Sequence, residues 1–474
     1  MYSPVLLTFT NMVLGGCIRE VNLIFSLFFL FIILLIALFF DFSQPILISF
    51  FGERVLKILN FEYWISIDGL SIIFIFLSAI LFFISICANF NLSYRLKEFF
   101  ILLTLTYFFL LHVFSVMDFF FFYILFEAVL IPMFLIIGIW GSRERKVYAA
   151  YKFFLYTLFG SLFMLTCLVF FQLTKGSNDL SLPVLSSFSA SSDLLLWLGL
   201  FLGLAVKIPI FPVHLWLPEA HVEAPTTGSM LLAGILLKLG GYGIIKFMLP
   251  LFFNTFDSVM PLILTVGLFG MIFASFVIFS QVDVKKIIAY SSIAHMNTVL
   301  VGIGVKNLQA LFGSVLTMFS HGLVSASLFF MVGSLYERFK TRIILYYSGL
   351  MRVMPVFSSF FIFFNLSNLA LPGTLSFLGE FFILLGSFNR NSFVGVVLSL
   401  SMIFSASYSL LLVNRVLSGN FSSFLFYFSD LSRIEFFILS ILSTMVIILG
   451  LWAEPVTVRD FYPIFSSTIL LINK

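Results

Sequence analysis

Charge is what this sequence has least of. Only 10% of its 474 residues are Asp, Glu, Lys or Arg, 61% are hydrophobic, and the mean hydropathy is +1.17. A water-soluble chain could not cover its surface with so few polar groups, so a soluble domain is excluded and a polytopic membrane protein is expected. The net charge of +4 is small and scattered, which argues against a nucleic-acid partner. The three cysteines, Cys17, Cys87 and Cys167, lie far apart without CxxC spacing. They support neither a disulfide framework nor an iron–sulfur site and read as small buried hydrophobes. No Walker or dinucleotide fingerprint occurs, since the glycines of LKLGGYG sit in an apolar helix rather than after a strand. The N-terminal MYSPVLLTFTNMVLGGCIRE has no basic n-region and no transit-peptide character, and it reads as a retained first span.

What the chain does have is hydrocarbon. Phenylalanine alone occurs 68 times, either as a lipid-facing aromatic surface or as the product of a thymine-rich genome such as an organelle's. Apolar runs long enough to cross a bilayer fall at about 3–18, 22–41, 67–88, 97–116, 118–140, 148–172, 192–211, 226–250, 259–280, 285–304, 308–336, 350–388, 391–417 and 434–453. The expected fold is therefore an all-α polytopic membrane protein of about fourteen spans. Connections after odd-numbered spans hold Arg19, Arg95, Lys97, Arg143, Arg145, Lys146, Lys285, Lys286, Arg338, Lys340, Arg342, Arg352, Arg415 and Arg433. Those after even-numbered spans hold only Arg54, Lys57, Lys175, Lys246, Lys306 and Arg390. Positive-inside bias places the odd connections in the matrix or cytoplasm and both termini outside. The basic face of GSRERKVYAAYKFFLYT, which opens span 6, reads as headgroup anchoring, with Lys152 snorkelling.

Spans 7 and 12 are both interrupted by proline, and each carries one intramembrane charge, Lys207 and Glu380. They lie five spans apart, and an odd offset inverts the second unit. Such pairing is the sequence sign of inverted repeats, the alternative being two incidental kinks. The expected organisation is spans 1–3 over residues 1–96, a first repeat of spans 4–8 over 97–250, a second of spans 9–13 over 251–417, and a last span and tail over 418–474.

Four charges stand where water is scarce: Glu127 in FFYILFEAVLIPMF, Lys207 after LLLWLGLFLGLAV, Lys238 after LLAGILL and Glu380 after LPGTLSFLG. A lysine at bilayer depth costs roughly 2.5–3.5 kcal/mol on insertion scales, so such groups usually serve a purpose. Isolated buried charges neutralise or pair, and the simplest arrangement is an ion pair between Glu127 and Lys207. Opening or closing that pair would move Lys207 between holding and releasing a proton. The plain alternative is a set of helix-stapling ion pairs. His295 in KKIIAYSSIAHMN and His321 in LTMFSHGLVSASLFF, each among Ser or Thr, add groups that pass protons near neutrality, or else are satisfied core histidines. His112 has apolar neighbours apart from Ser115 and reads as core. His214, Glu219, His221 and Glu223 have no metal-ligand spacing, so HLWLPEAHVEAP reads as a short amphipathic piece lining a polar cavity rather than a metal site.

At these residues the chain resembles the subunit 4 family of NADH–ubiquinone oxidoreductase (complex I), antiporter-like proton-pumping subunits of the membrane arm. The matching text is FEAVLIPMFLIIGIWGSRERK, the stretch from Lys207 to Gly243, KKIIAYSSIAHMN, SHGLVSASLFF and LPGTLSFLGEFFIL, spanning about Asp118 to Asn414. The resemblance implies that Glu127 and Lys207 form the coupled pair of an input half-channel. It makes Lys238 the central relay, His295 and His321 polar-axis groups, and Glu380 the terminal site. Related antiporter-like subunits 2 and 5 typically carry lysine at that last position. It also implies neighbours of the subunit 2 and 5 type, a mitochondrial inner membrane or else a bacterial one, and no cofactor in this chain. FMN, iron–sulfur clusters and ubiquinone would lie in other subunits. The rival expectations are a subunit of an Mrp-type cation/proton antiporter, a passive scaffold and a membrane metalloenzyme.

Overall fold

A computed structural model of the chain describes residues 18–39, 53–58, 61–90, 92–175, 190–420 and 429–451, together with Pro4, Leu7, Thr8 and Asn11. Cys17, most of the expected first span at 3–18 and much of the 418–474 segment lie outside the described residues. The rest is helical, as apolar runs in lipid must be, because a helix satisfies its backbone internally. Among the described residues eleven helices are long and apolar enough to cross a membrane.

The elements follow in order. Helix α1 (Ile18–Phe39) precedes a two-stranded antiparallel hairpin, β1 (Glu53–Ile58) and β2 (Phe61–Ile65). Then come α2 (Gly69–Ala88), α3 (Leu96–Ser115), α4 (Phe119–Ala128), α5 (Leu130–Trp140), α6 (Lys146–Lys175) and α7 (Ala190–Lys207). A short α8 (Trp216–Glu223) leads into α9 (Thr226–Leu251), α10 (Phe253–Ser280), α11 (Val284–Val305) and α12 (Leu308–Phe339). The chain continues through α13 (Pro355–Asn368), α14 (Leu375–Arg390), α15 (Ser392–Leu417) and α16 (Arg433–Leu451).

Proline decides where spans break. The expected seventh span ends at Lys207, because Pro209 and Pro212 donate no backbone hydrogen bond and push the residues before them out of the helical region. The expected twelfth span divides into α13 and α14 around Pro372-Gly373, where Gly373 takes a φ of +92° that suits glycine alone. The fifth span, expected to be continuous, is interrupted at Val129. Pro132 removes an N–H and crowds the carbonyl of Ala128 one turn back. The hairpin was not expected either. It adds one small sheet to an otherwise helical chain and is tied to the α3–α4 turn, where the Met117 N–H donates to the Trp64 carbonyl at 3.1 Å and the Ser66 N–H to Ser115 at 2.8 Å.

By contacts the described chain divides into two compact units. The first gathers residues up to Ile208 and Lys238–Met260, the second Pro209–Leu237 and Pro261–Pro455. The segment after the first proline break thus packs with the second unit. Helices α9 and α12 are buried along their whole spanning windows, whereas α1, α15 and α16 present most of theirs outward. Phenylalanine serves both settings: Phe28, Phe159 and Phe393 are exposed, while Phe74, Phe114 and Phe122 are in the core.

Candidate functional site

In the first unit the break at Val129 sets the geometry around Glu127. Lys207 ends α7, where the unsatisfied carbonyls of a helix C-terminus favour a cation. Its ammonium donates to the Phe126 carbonyl at 2.6 Å and lies 3.1 Å from the centre of the Phe126 ring. The Glu127 carboxylate is close enough to interact electrostatically with Lys207, beside Ser161 of α6. Its Oε1 is buried without a hydrogen-bond partner among the described residues. The expected Glu127–Lys207 pair is thus present as an electrostatic neighbourhood, while the hydrogen bond of the lysine goes to the Phe126 carbonyl.

Lys238 is fully buried on α9. Two π-helical stretches, Leu232–Leu236 and Ile244–Met248, flank it, and such widened turns recur at functional sites. Lys246, expected in an outer connection, is instead buried inside the second of these stretches and paired with Asp68. His112, expected among apolar neighbours apart from Ser115, meets the hydroxyl of Tyr63 from the hairpin at 2.6 Å.

The second unit brings three expected residues together. His295 on α11 lies with its Nδ1 3.1 Å from Oε1 of Glu380 on α14, both side chains about nine-tenths buried. The rings of His295 and His321 on α12 are 5.6 Å apart. Small residues make this closeness possible. At Gly379 an added Cβ would stand 2.7 Å from the Thr317 backbone nitrogen, so α14 seats directly against α12 and carries the adjacent Glu380 with it. Beside Glu380 a cavity of about 30 Å³ is lined by His295, Ser275, Ser401, Ser405 and Tyr408. A second, of about 10 Å³, touches His295, His321, Ser367, Asn368, Ser376 and Glu380. Spaces of this size with several polar neighbours suit single water molecules.

The segment after the first break is held by cations that the sequence assigned to solvated loops. The Lys285 ammonium donates to the Ala224 carbonyl at 3.0 Å, and the Arg342 guanidinium donates to Val222 at 2.5 Å. Both serve the C-terminus of α8, complementing its dipole. His214 stands against the rings of Phe211 and Phe273, and His221 lies flat on Phe329 with centroids 4.5 Å apart. Among the described residues no group of three or more His, Cys, Asp or Glu is placed to hold a metal. Sequence reasoning missed Tyr408, whose buried hydroxyl has no partner among the described residues and which lies within electrostatic reach of Glu380. Its signal was spacing: Tyr408 follows Ser405 by three residues on one face of α15.

A helical membrane bundle that buries lysines inside its helices and sets histidines and a glutamate beside water-sized cavities has the features of an ion-translocating subunit. The family model for the transmembrane region of NADH:quinone oxidoreductases and Mrp antiporters matches residues 116–405, and the chain belongs to that family. The NADH-ubiquinone oxidoreductase chain 4 of Marchantia polymorpha is 50% identical over 404 residues, covering 85% of this chain and 81% of that protein. A chain of respiratory complex I from Thermus thermophilus superposes with a TM-score of 0.88 at 26% identity, each covered to 99%. A chain of the Mrp complex from a Dietzia species superposes with a TM-score of 0.84 at 15% identity, covering 99% of this chain and 97% of that one, a likeness of fold alone.

Proposed function

We propose that this chain translocates protons as the antiporter-like subunit 4 of an NADH:ubiquinone oxidoreductase, complex I, in the mitochondrial inner membrane. The observation that carries the reading is the His295–Glu380 contact at 3.1 Å beside a cavity fit for water, inside a member of that family. A proton on His295 Nδ1 passes to Glu380 Oε1, the N–H bond breaking as the O–H bond forms. Before that step Nε2 of His295, buried and without a hydrogen-bond partner among the described residues, takes up the incoming proton, so the imidazolium gives up its Nδ1 proton and leaves a neutral ring protonated at Nε2. His321, one ring away, is the next group in that direction.

In the first unit, Glu127 and Lys207 take up the proton and Lys238 holds it as the central relay. Lys207 suits uptake because its hydrogen bond to Phe126 leaves the Glu127 Oε1 open to receive one. The paired proline breaks after Lys207 and before Glu380 support the reading of residues 97–250 and 251–417 as inverted repeats. Each charge moved against the membrane potential costs about 2.3 kcal/mol per 100 mV. No redox motif occurs in the sequence, so the drive comes from other subunits carrying FMN, iron–sulfur clusters and ubiquinone. Neighbours of the subunit 2 and 5 type flank this chain in the arm.

Two measurements test the reading. Copurification with flavin and iron–sulfur subunits separates it from an Mrp-type antiporter with no redox drive. Lys238→Ala in the assembled complex is expected to lower the proton-to-electron ratio by the share that this subunit carries. A normal ratio in that variant would sink the pumping role.

A further inference from the structure

The first unit holds a buried ion pair outside the row of charges just described. Lys246 Nζ lies 3.1 Å from Asp68 Oδ1, and the two side chains are 1% and 2% exposed. The same ammonium donates to the Tyr242 hydroxyl at 2.8 Å, and that hydroxyl donates to the Phe114 carbonyl at 2.7 Å. Three segments meet here. Asp68 caps α2, Phe114 lies near the end of α3, and Tyr242 and Lys246 lie on α9. The backbone of Asp68 is itself fixed, its N–H donating to the Ser71 hydroxyl at 2.7 Å. One carboxylate oxygen is left over: Asp68 Oδ2 is buried with no hydrogen-bond partner among the described residues.

Position matters as much as contact. Lys238, Tyr242 and Lys246 follow one another at four-residue steps on α9, the spacing that lines one face of a helix. Eight residues at about 1.5 Å each put Lys246 roughly 12 Å along the helix from Lys238. The charge bias of the sequence puts the connection that runs into Asp68 on the outer side of the membrane. Buried ion pairs are weak fasteners, so joining α2 to α9 is by itself a poor account of a pair whose aspartate already belongs to the capping box of α2 with Ser71.

We propose that Asp68 and Lys246, held in place by Tyr242, form a further proton-holding pair of this subunit at the outer end of α9. The proton leaves Lys246 Nζ for Asp68 Oδ1, the N–H bond breaking as the O–H bond forms, so a charged pair becomes a neutral one. The Asp68 carboxyl then rotates so that its protonated oxygen turns away from Lys246, and the O–H bond breaks as water on the outer side takes the proton. Tyr242 is a positioning residue: it accepts from the ammonium and is anchored on Phe114. The inference rests on the proton-translocation reading above.

The test is proton uptake per electron by the assembled oxidoreductase in liposomes, with NADH oxidation followed in parallel. Asp68→Asn is expected to lose this subunit's share of the protons taken up per electron while the complex still assembles, and Asp68→Glu to restore it. Tyr242→Phe removes one hydroxyl only, so it decides the matter if Asp68→Asn fails to assemble. It is expected to lower the ratio, and a wild-type ratio there would overturn the proposal. So would an assembled Asp68→Asn complex that pumps normally. Lys238→Ala in the same preparation separates the two readings. If it loses pumping while Asp68→Asn keeps it, only the present inference fails. If both pump normally, the proton-translocation reading fails as well.

Discussion

Glu127 and Lys207 in the first unit and His295 and Glu380 in the second are both acid–base neighbours, with Glu127 half-buried and the other three buried, yet they are arranged differently. The Lys207 ammonium is bound to a backbone carbonyl and an aromatic ring, with the carboxylate near but unbonded at Oε1. His295 and Glu380 touch directly, and hydroxyls surround the cavity beside them. A lysine keeps its proton unless a carboxylate's field or its own burial changes, so the first arrangement responds to a shift in charge nearby. An imidazole has two nitrogens, so under the proposed function the second arrangement is the one suited to passing a proton through a ring.

The largest expected effect breaks the second arrangement by packing. In Gly379→Val the new Cβ would stand 2.7 Å from the Thr317 nitrogen and 2.6 Å from its Cγ2, and backbone cannot yield as a side-chain tip can. Overpacking of this kind costs about 3 kcal/mol and moves α14 off α12. The expected outcome is little assembled complex on native gels, and pumping abolished in whatever assembles. Wild-type assembly and pumping would mean that the close helix contact does not set the Glu380 position.

The smallest effect sharpens the same comparison. Tyr408→Phe removes a hydroxyl with no partner among the described residues, so stability should change by less than about 1 kcal/mol. Its expected signature is slower proton uptake at unchanged thermal stability, read by stopped-flow pH indicators against a melting curve. If neither moves, the Glu380 cavity works without the tyrosine.

Much of this was legible because charge is so scarce. Glu127, Lys207, Lys238 and Glu380 stood out against hydrocarbon, and Pro372-Gly373 marked the break before Glu380. Other features hid for physical reasons. Pro132 sits in plain view in FFYILFEAVLIPMF, but a proline inside a long apolar run does not say which carbonyl it frees or what fills the gap. Lys246 lies near the end of its run, where a cation ordinarily snorkels to the interface. Only the fold shows Asp68 meeting it from 178 residues away. Lys285 and Arg342 counted as solvated charges in the orientation argument, yet both are buried on carbonyls of α8. The hairpin at 53–65 was hidden because a membrane chain's hydropathy is read for helices. Close helix contacts such as Gly379 on Thr317 depend on partners that no local pattern names.

The most direct test of the account is the proton-to-electron ratio of the assembled oxidoreductase, with Lys207→Met and Glu380→Gln measured side by side in sealed vesicles. If each unit holds a necessary proton station, each variant alone lowers the ratio while NADH oxidation by uncoupled vesicles persists. If both variants assemble and keep the wild-type ratio, the buried charges only hold helices together and the account is wrong.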